Sequence, residues 1–137
     1  MFDEVMPFEV ALQEINEQLD KKKIYPKKRQ EMAGIAETIA EAMQYGQVVI
    51  GENSITQTLL CPIKDHTGAI VIDKLEFKGR ISPEVMASKY RAAKASSSED
   101  RLIAAICAYT GEVKGIIDKL DTQDRNTCES LGFFSLV

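Results

Sequence analysis

"SITQTLLCPIKDHTGAIVIDKLEF", residues 54–77, decides the fold class, because here the side-chain period changes from helical to two. Over 54–63, Ile55, Gln57 and Leu59 share one face, and Thr56, Thr58 and Leu60 share the other. Over 69–77, Val71, Asp73, Leu75 and Phe77 fall on one face. Between the two runs "KDHTG" supplies turn chemistry, with Asp65 and Gly68 suited to a short hairpin loop. The reading is a β-hairpin, with "VVI" at 48–50 as a candidate third strand.

Upstream, the period is helical. From Pro7 to Lys23, Phe8, Leu12, Ile15 and Leu19 form one stripe, and Glu17 and Lys21 stand four apart in the favourable order. Pro26 suits the first turn of a second helix, which carries Met32, Ile35, Ala36, Ile39 and Met43 and ends near Gly46. Residues 1–46 therefore read as an N-terminal helical hairpin whose turn, "KKKIYPKKR", is strongly basic.

Downstream of the hairpin region (47–79), the helices are short. Ser82 caps one, with Pro83 and Glu84 in its first turn. "SSSED" offers Ser97 or Ser98 as a fresh cap for a helix holding Leu102, Ile103, Ile106 and Cys107, which stops at Thr110-Gly111. A brief helix spans Val113 to Lys119, and Asp121 caps a last one through Cys128, Leu131 and Phe134. The expected architecture is α+β in a single domain, 1–137, with a C-terminal bundle of three or four short helices over 80–137.

Composition narrows function. A hydrophobic fraction of 45% with 28% charged residues is ordinary for a soluble globular chain. The net charge of −4 provides no overall basic field for nucleic acid or anionic membrane. No run approaches the roughly 18 apolar residues of a membrane span, and the opening "MFDEVMPFEV" carries acids where a signal peptide needs bases. Cys61, Cys107 and Cys128 are far apart, no two stand at metal-ligand spacing, and His66 is the one histidine, so neither a zinc site nor another cofactor is expected. Scattered cysteines of this kind read as buried reduced thiols, which points to a reducing cytoplasm.

Catalysis is not expected either. None of the eight glycines fits a phosphate-loop spacing, and a lone histidine in a turn gives the serines no base. Asp73 with Glu76, and Asp118 with Asp121 and Asp124, read as helix caps and solvated faces. Lys21, Lys22, Lys23, Lys27, Lys28 and Arg29 are candidate contacts for an anion or an acidic partner. For nucleic acid they would supply phosphate neutralisation without base readout. The remaining signal is the series of amphipathic helices sharing one small hairpin, a platform too narrow to bury every stripe.

The C-terminal part resembles the tail assembly chaperones of long-tailed bacteriophages. In that family an L-x-L/F strand with a basic neighbour ends a hairpin, and a helix opened by Pro or Ser/Thr follows. After an acidic break comes an apolar helix ending in T-G, then L-D-x-x-D and a last helix ending near Phe. Here "KLEFKGRISPEVM" stands at 74–86, "SSEDRLIAAICAYTG" at 97–111 and "IIDKLDTQDRNTCESLGFF" at 116–134. The pattern covers roughly residues 54–137, and residues 1–50 depart from it.

The resemblance implies a non-enzymatic protein that keeps the long tape measure protein, or another tail protein, soluble during assembly in the host cell cytoplasm. Leu75, Phe77, Leu102, Ile106, Ile116, Leu120, Leu131 and Phe134 are then the candidate protein-binding groove, and self-association is a further expectation. Two alternatives stand beside this reading. One is a structural adaptor or connector retained in the virion, and the other a small nucleic-acid-associated regulator using residues 21–29.

Overall fold

The computed structural model describes residues 2–94 and 96–137; Met1 and Ala95, which fall in the expected 1–46 and 80–137 segments, lie outside it. In chain order the elements are α1 (Phe8–Lys21), α2 (Pro26–Glu31), α3 (Ala33–Gln44), β1 (Val48–Ile50), β2 (Ser54–Lys64) and β3 (Ile70–Lys78). Four further helices follow: α4 (Pro83–Ala93), α5 (Ser98–Thr110), α6 (Lys114–Asp118) and α7 (Thr122–Leu136). The class is α+β, with helices before and after, in chain order, a three-stranded antiparallel sheet in the order β1-β2-β3.

Helix α1 buries Ala11, Ile15 and Leu19, a four-residue spacing that faces Ala36, Ile39, Ala40 and Met43 of α3. The small alanines let the two helices approach, while Phe8 and Leu12 flank the seam half-buried. The expected second helix is broken at Met32. Its N–H donates both to the carbonyl of Lys28 (3.1 Å) and to that of Arg29 (3.2 Å), a local 3₁₀ tightening. Gly34 just beyond weakens helix continuity by about 1 kcal/mol relative to alanine. The hairpin then ends on Gly46 at φ 79°, where the Gly46 and Gln47 amides close back on Met43 and Ala42 as a Schellman cap.

The third strand exists: Val48, Val49 and Ile50 pair with Gln57, Thr56 and Ile55. The β2–β3 register runs regularly from Ser54↔Lys78 to Thr58↔Lys74 and resumes at Ile63↔Ile72. Between those pairs β2 advances five residues while β3 advances two, so three extra residues of β2 bulge out. Pro62 lies in this bulge, where its missing N–H costs the ladder nothing.

The expected β3 face holds only in part. Leu75 and Phe77 are buried in the core, but Val71 and Asp73 are exposed and Ile72 is half-buried, in the stretch where the pairing with β2 is irregular on both sides of Ile63↔Ile72. The loop itself is as read: Asp65 accepts from the amides of Thr67 and Ala69, and Gly68 takes φ 86°. The Thr67 hydroxyl, also donating to this carboxylate, is the main cause that holds Asp65 below its ordinary pKa.

Helix α5 is buried from Leu102 through Ala108 on all sides, enclosed by α4, α6, α7 and β3. It starts at the Ser97 cap and stops at Gly111, φ 76°. Helix α7 starts at the Asp121 cap and packs against α3, α5 and β2. At Gly132 the helix lies tight against α5: a Cβ there would stand 2.7 Å from Cγ1 of Ile106. No helix among the described residues is long and apolar enough to cross a membrane.

Candidate interaction surface

Seven of the eight expected groove residues, Leu75, Phe77, Leu102, Ile106, Leu120, Leu131 and Phe134, are buried in the core, and Ile116 packs against it partly buried. They are brought together, but as a filled interior rather than an open groove. The physical reason is the larger platform. A third strand, α3 and the enclosed α5 supply the faces that a two-stranded hairpin alone would lack.

The acids of the L-D-x-x-D step divide their work. Asp121 caps α7 by accepting from the Gln123 amide at 3.2 Å, and Asp118 is exposed beside Lys114, 3.0 Å away. Asp124 was expected on a solvated face and is instead only 2% exposed. Its two carboxylate oxygens accept from the amides of Leu60 and Cys61, each at 2.9 Å. Those amides lie in the β2 bulge, where β3 does not pair with them. Asp124 therefore closes the bulge, and Gln57 strengthens the join by donating Nε2 to the Asp124 carbonyl at 2.9 Å. The Gln57 side-chain oxygen is buried with no partner.

Cys61 is exposed, not buried as its type suggested, whereas Cys107 and Cys128 are buried. Burial pushes the Cys107 thiol up and the Cys128 thiol up to about 12. Ligand atoms of Cys61, Asp121 and Asp124 lie within 4.8 Å of one another, a grouping invisible at their sequence spacing. Both Asp124 oxygens are already committed to backbone amides, so its geometry is that of a structural tie. His66 stands exposed in the β2–β3 turn.

The basic turn is also divided. Arg29 reaches back to α1, donating Nη2 to the Asn16 carbonyl and side-chain oxygen at 3.2 Å each, and pairs with Asp20 at 3.3 Å. Lys22 lies over the Phe134 ring at 4.8 Å and donates to the Val137 carbonyl, and its burial lowers its pKa. These two cations hold the hairpin to itself and to α7. Lys21, Lys23, Lys27 and Lys28 are exposed, with Lys28 3.8 Å from Glu31.

Between this turn, the start of α3 and the last turn of α7 runs an open groove of about 590 Å³. Its walls include Ile24, Tyr25, Ile35, Phe133 and Leu136, with buried Met32 in the floor and Lys22, Lys23 and Lys28 on the rim. Tyr25 is 85% exposed, and Phe133 and Leu136 more than 40%. A smaller cleft of about 200 Å³ lies against Lys21 and Lys22, with the buried Phe77 and Phe134 in its lining. In the sequence Tyr25 lies inside a charged turn, and Phe133 and Leu136 lie off the Cys128, Leu131 and Phe134 stripe of the last helix, so no local signal marks them as neighbours. Compared with protein families, characterised proteins and solved structures, the chain shows no match.

Proposed function

We propose that this chain is a non-catalytic binding protein of the tail assembly chaperone kind, holding amphipathic helical segments of a tape measure or similar tail protein in solution. The observation that carries a binding role is the open groove between the basic turn and α7. Three large apolar side chains face solvent there, with lysines at the rim. An apolar trough of this form suits a helix laid in by its apolar stripe, with acidic flanks meeting the lysines. Weak sites of this kind gain avidity on a client that offers many such segments. The tail-protein identity of the client rests on the ordered pieces from "KLEFKGRISPEVM" to "ESLGFF".

The test is co-expression with the longest helical protein encoded beside it, followed by size exclusion of the soluble fraction. Co-elution with a client that is insoluble alone supports the reading, and Tyr25→Ala with Leu136→Ala should then weaken it while leaving the fold intact. A client that stays insoluble while this protein elutes alone refutes it. Recovery at fixed copy number in finished particles would replace it with the adaptor reading.

A further inference from the structure

The helical hairpin has two chemically opposite ends. At one end, Phe2, Val5 and Val10 are each more than half exposed and are interleaved with exposed Asp3, Glu4 and Glu9. This segment is held in place by the Val5 amide on the Gln44 carbonyl at 2.8 Å and by the Phe2 ring against Tyr45, 5.9 Å between centroids. At the other end lies the lysine-rimmed groove, whose only rim acid among its described lining residues, Glu31, faces Lys28. Along α1 the helix rises about 18 Å from Val10 to Lys22, so one molecule cannot satisfy its own pair.

We propose that two copies of this chain associate through these ends, the acidic apolar segment Phe2–Val10 of one seating in the groove between Ile24–Met32 and α7 of the other. Both surfaces carry three large exposed apolar side chains, and their charges are opposite, which fixes orientation as well as attraction. A contact between unlike surfaces can repeat along a chain or close reciprocally in a pair. The second copy would cover the same groove that a client helix enters, so a client would compete for it. The inference itself stands without the client reading, because it concerns the purified protein alone.

The experiment is sedimentation equilibrium of the full chain across a wide concentration range, with thermal melting as the fold check. The wild-type mass should rise with concentration and fall back as salt goes from about 0.15 M to about 1 M, which cuts the screening length from about 8 Å to about 3 Å. Asp3→Lys with Glu4→Lys, and separately Lys23→Glu with Lys28→Glu, should each weaken association about tenfold or more. Mixed in equal amounts, the two variants should associate again, since each reversed end meets its complement. A wild-type chain that stays monomeric throughout overturns the proposal. So does a wild-type assembly that ignores either pair of substitutions, or a mixture of folded variants that stays monomeric.

Discussion

Removing the Asp124 carboxylate should cost more stability than removing any other acid near it. The side chain gives both oxygens to backbone amides of the β2 bulge at 2.9 Å, and the Leu60 and Cys61 donors have no place in the β2–β3 ladder. A hydrogen bond to a charged group contributes about 1.5–3 kcal/mol, and a stranded donor costs about 1–3 kcal/mol. Leu60 is half-buried and Cys61 exposed, so water recovers part of the loss in the variant. The expected cost of Asp124→Ala is about 3 kcal/mol. With a urea m-value of about 1.5–2 kcal/mol/M, the midpoint falls by about 1.5–2 M.

Asp124→Asn keeps one acceptor but turns an NH2 toward the second amide, so it should lose about 2 kcal/mol rather than recover the wild type. Two neighbouring acids serve as internal controls. Asp121→Ala removes an N-cap and should cost about 1 kcal/mol. Asp118→Ala removes an exposed ion pair and should cost under about 0.5 kcal/mol. If Asp124→Ala unfolds at the midpoint of Asp118→Ala, the carboxylate is not what closes the bulge.

Other substitutions test the surrounding packing. Gln57→Met should leave the urea midpoint unchanged or raise it, because one hydrogen bond of about 1 kcal/mol is lost while a buried oxygen without a partner is removed; a drop beyond about 1.5 kcal/mol would contradict this. Ile106→Asp places an unpaired carboxylate at a fully buried position and should cost about 4 kcal/mol or more, leaving little folded protein by circular dichroism. Gly132→Ala should lower Tm despite the gain in helix propensity, since its Cβ meets Ile106 at 2.7 Å and overpacking costs about 1–3 kcal/mol. Cys128 has a folded pKa of about 12 against an ordinary thiol value of 9.0. Its contribution is therefore complete below pH 9.0 and is lost as pH rises toward 12. Cys128→Ala should flatten the fall of stability in that window by up to about 1.4 kcal/mol per pH unit, and an unchanged slope would refute the assignment.

What could be read in advance followed from local chemistry. Ser82-Pro83-Glu84, Ser97, Gly111 and Asp121 stand where the helices begin or end, because caps act on backbone groups within a turn of themselves. The Asp65–Gly68 turn was legible for the same reason. The bulge was not, since an alternating run shows no sign of where its partner advances more slowly. Asp124 depends on that bulge, so its role was hidden twice: by the register and by a carboxylate at the third position of a helix, which ordinarily faces water. The groove was hidden for a different reason. Tyr25, Phe133 and Leu136 become neighbours only through tertiary packing, and periodicity within one helix cannot say which apolar residue is left outside.

Helix α7 connects these two unforeseen features. Its first turn is bound to the sheet through Asp124 and Gln57, and its last turn supplies Phe133 and Leu136 to the groove. Along its 15 residues runs a buried face, Cys128, Leu131 and Phe134, set against α3 and α5. The groove therefore has one wall fixed by a helix anchored at its far end and the other by the basic turn. That turn is in turn braced by Arg29 on Asn16 and Asp20 and by Lys22 on Phe134. Two cations from one charged run serve as struts, while Lys23 and Lys28 remain at the rim. A surface assembled on braced elements holds its shape before an occupant arrives, so less binding free energy is lost in ordering it. Tyr25 sits between the struts with its ring almost wholly in water, an exposure that the fold itself does not require and that an occupant of the groove would remove.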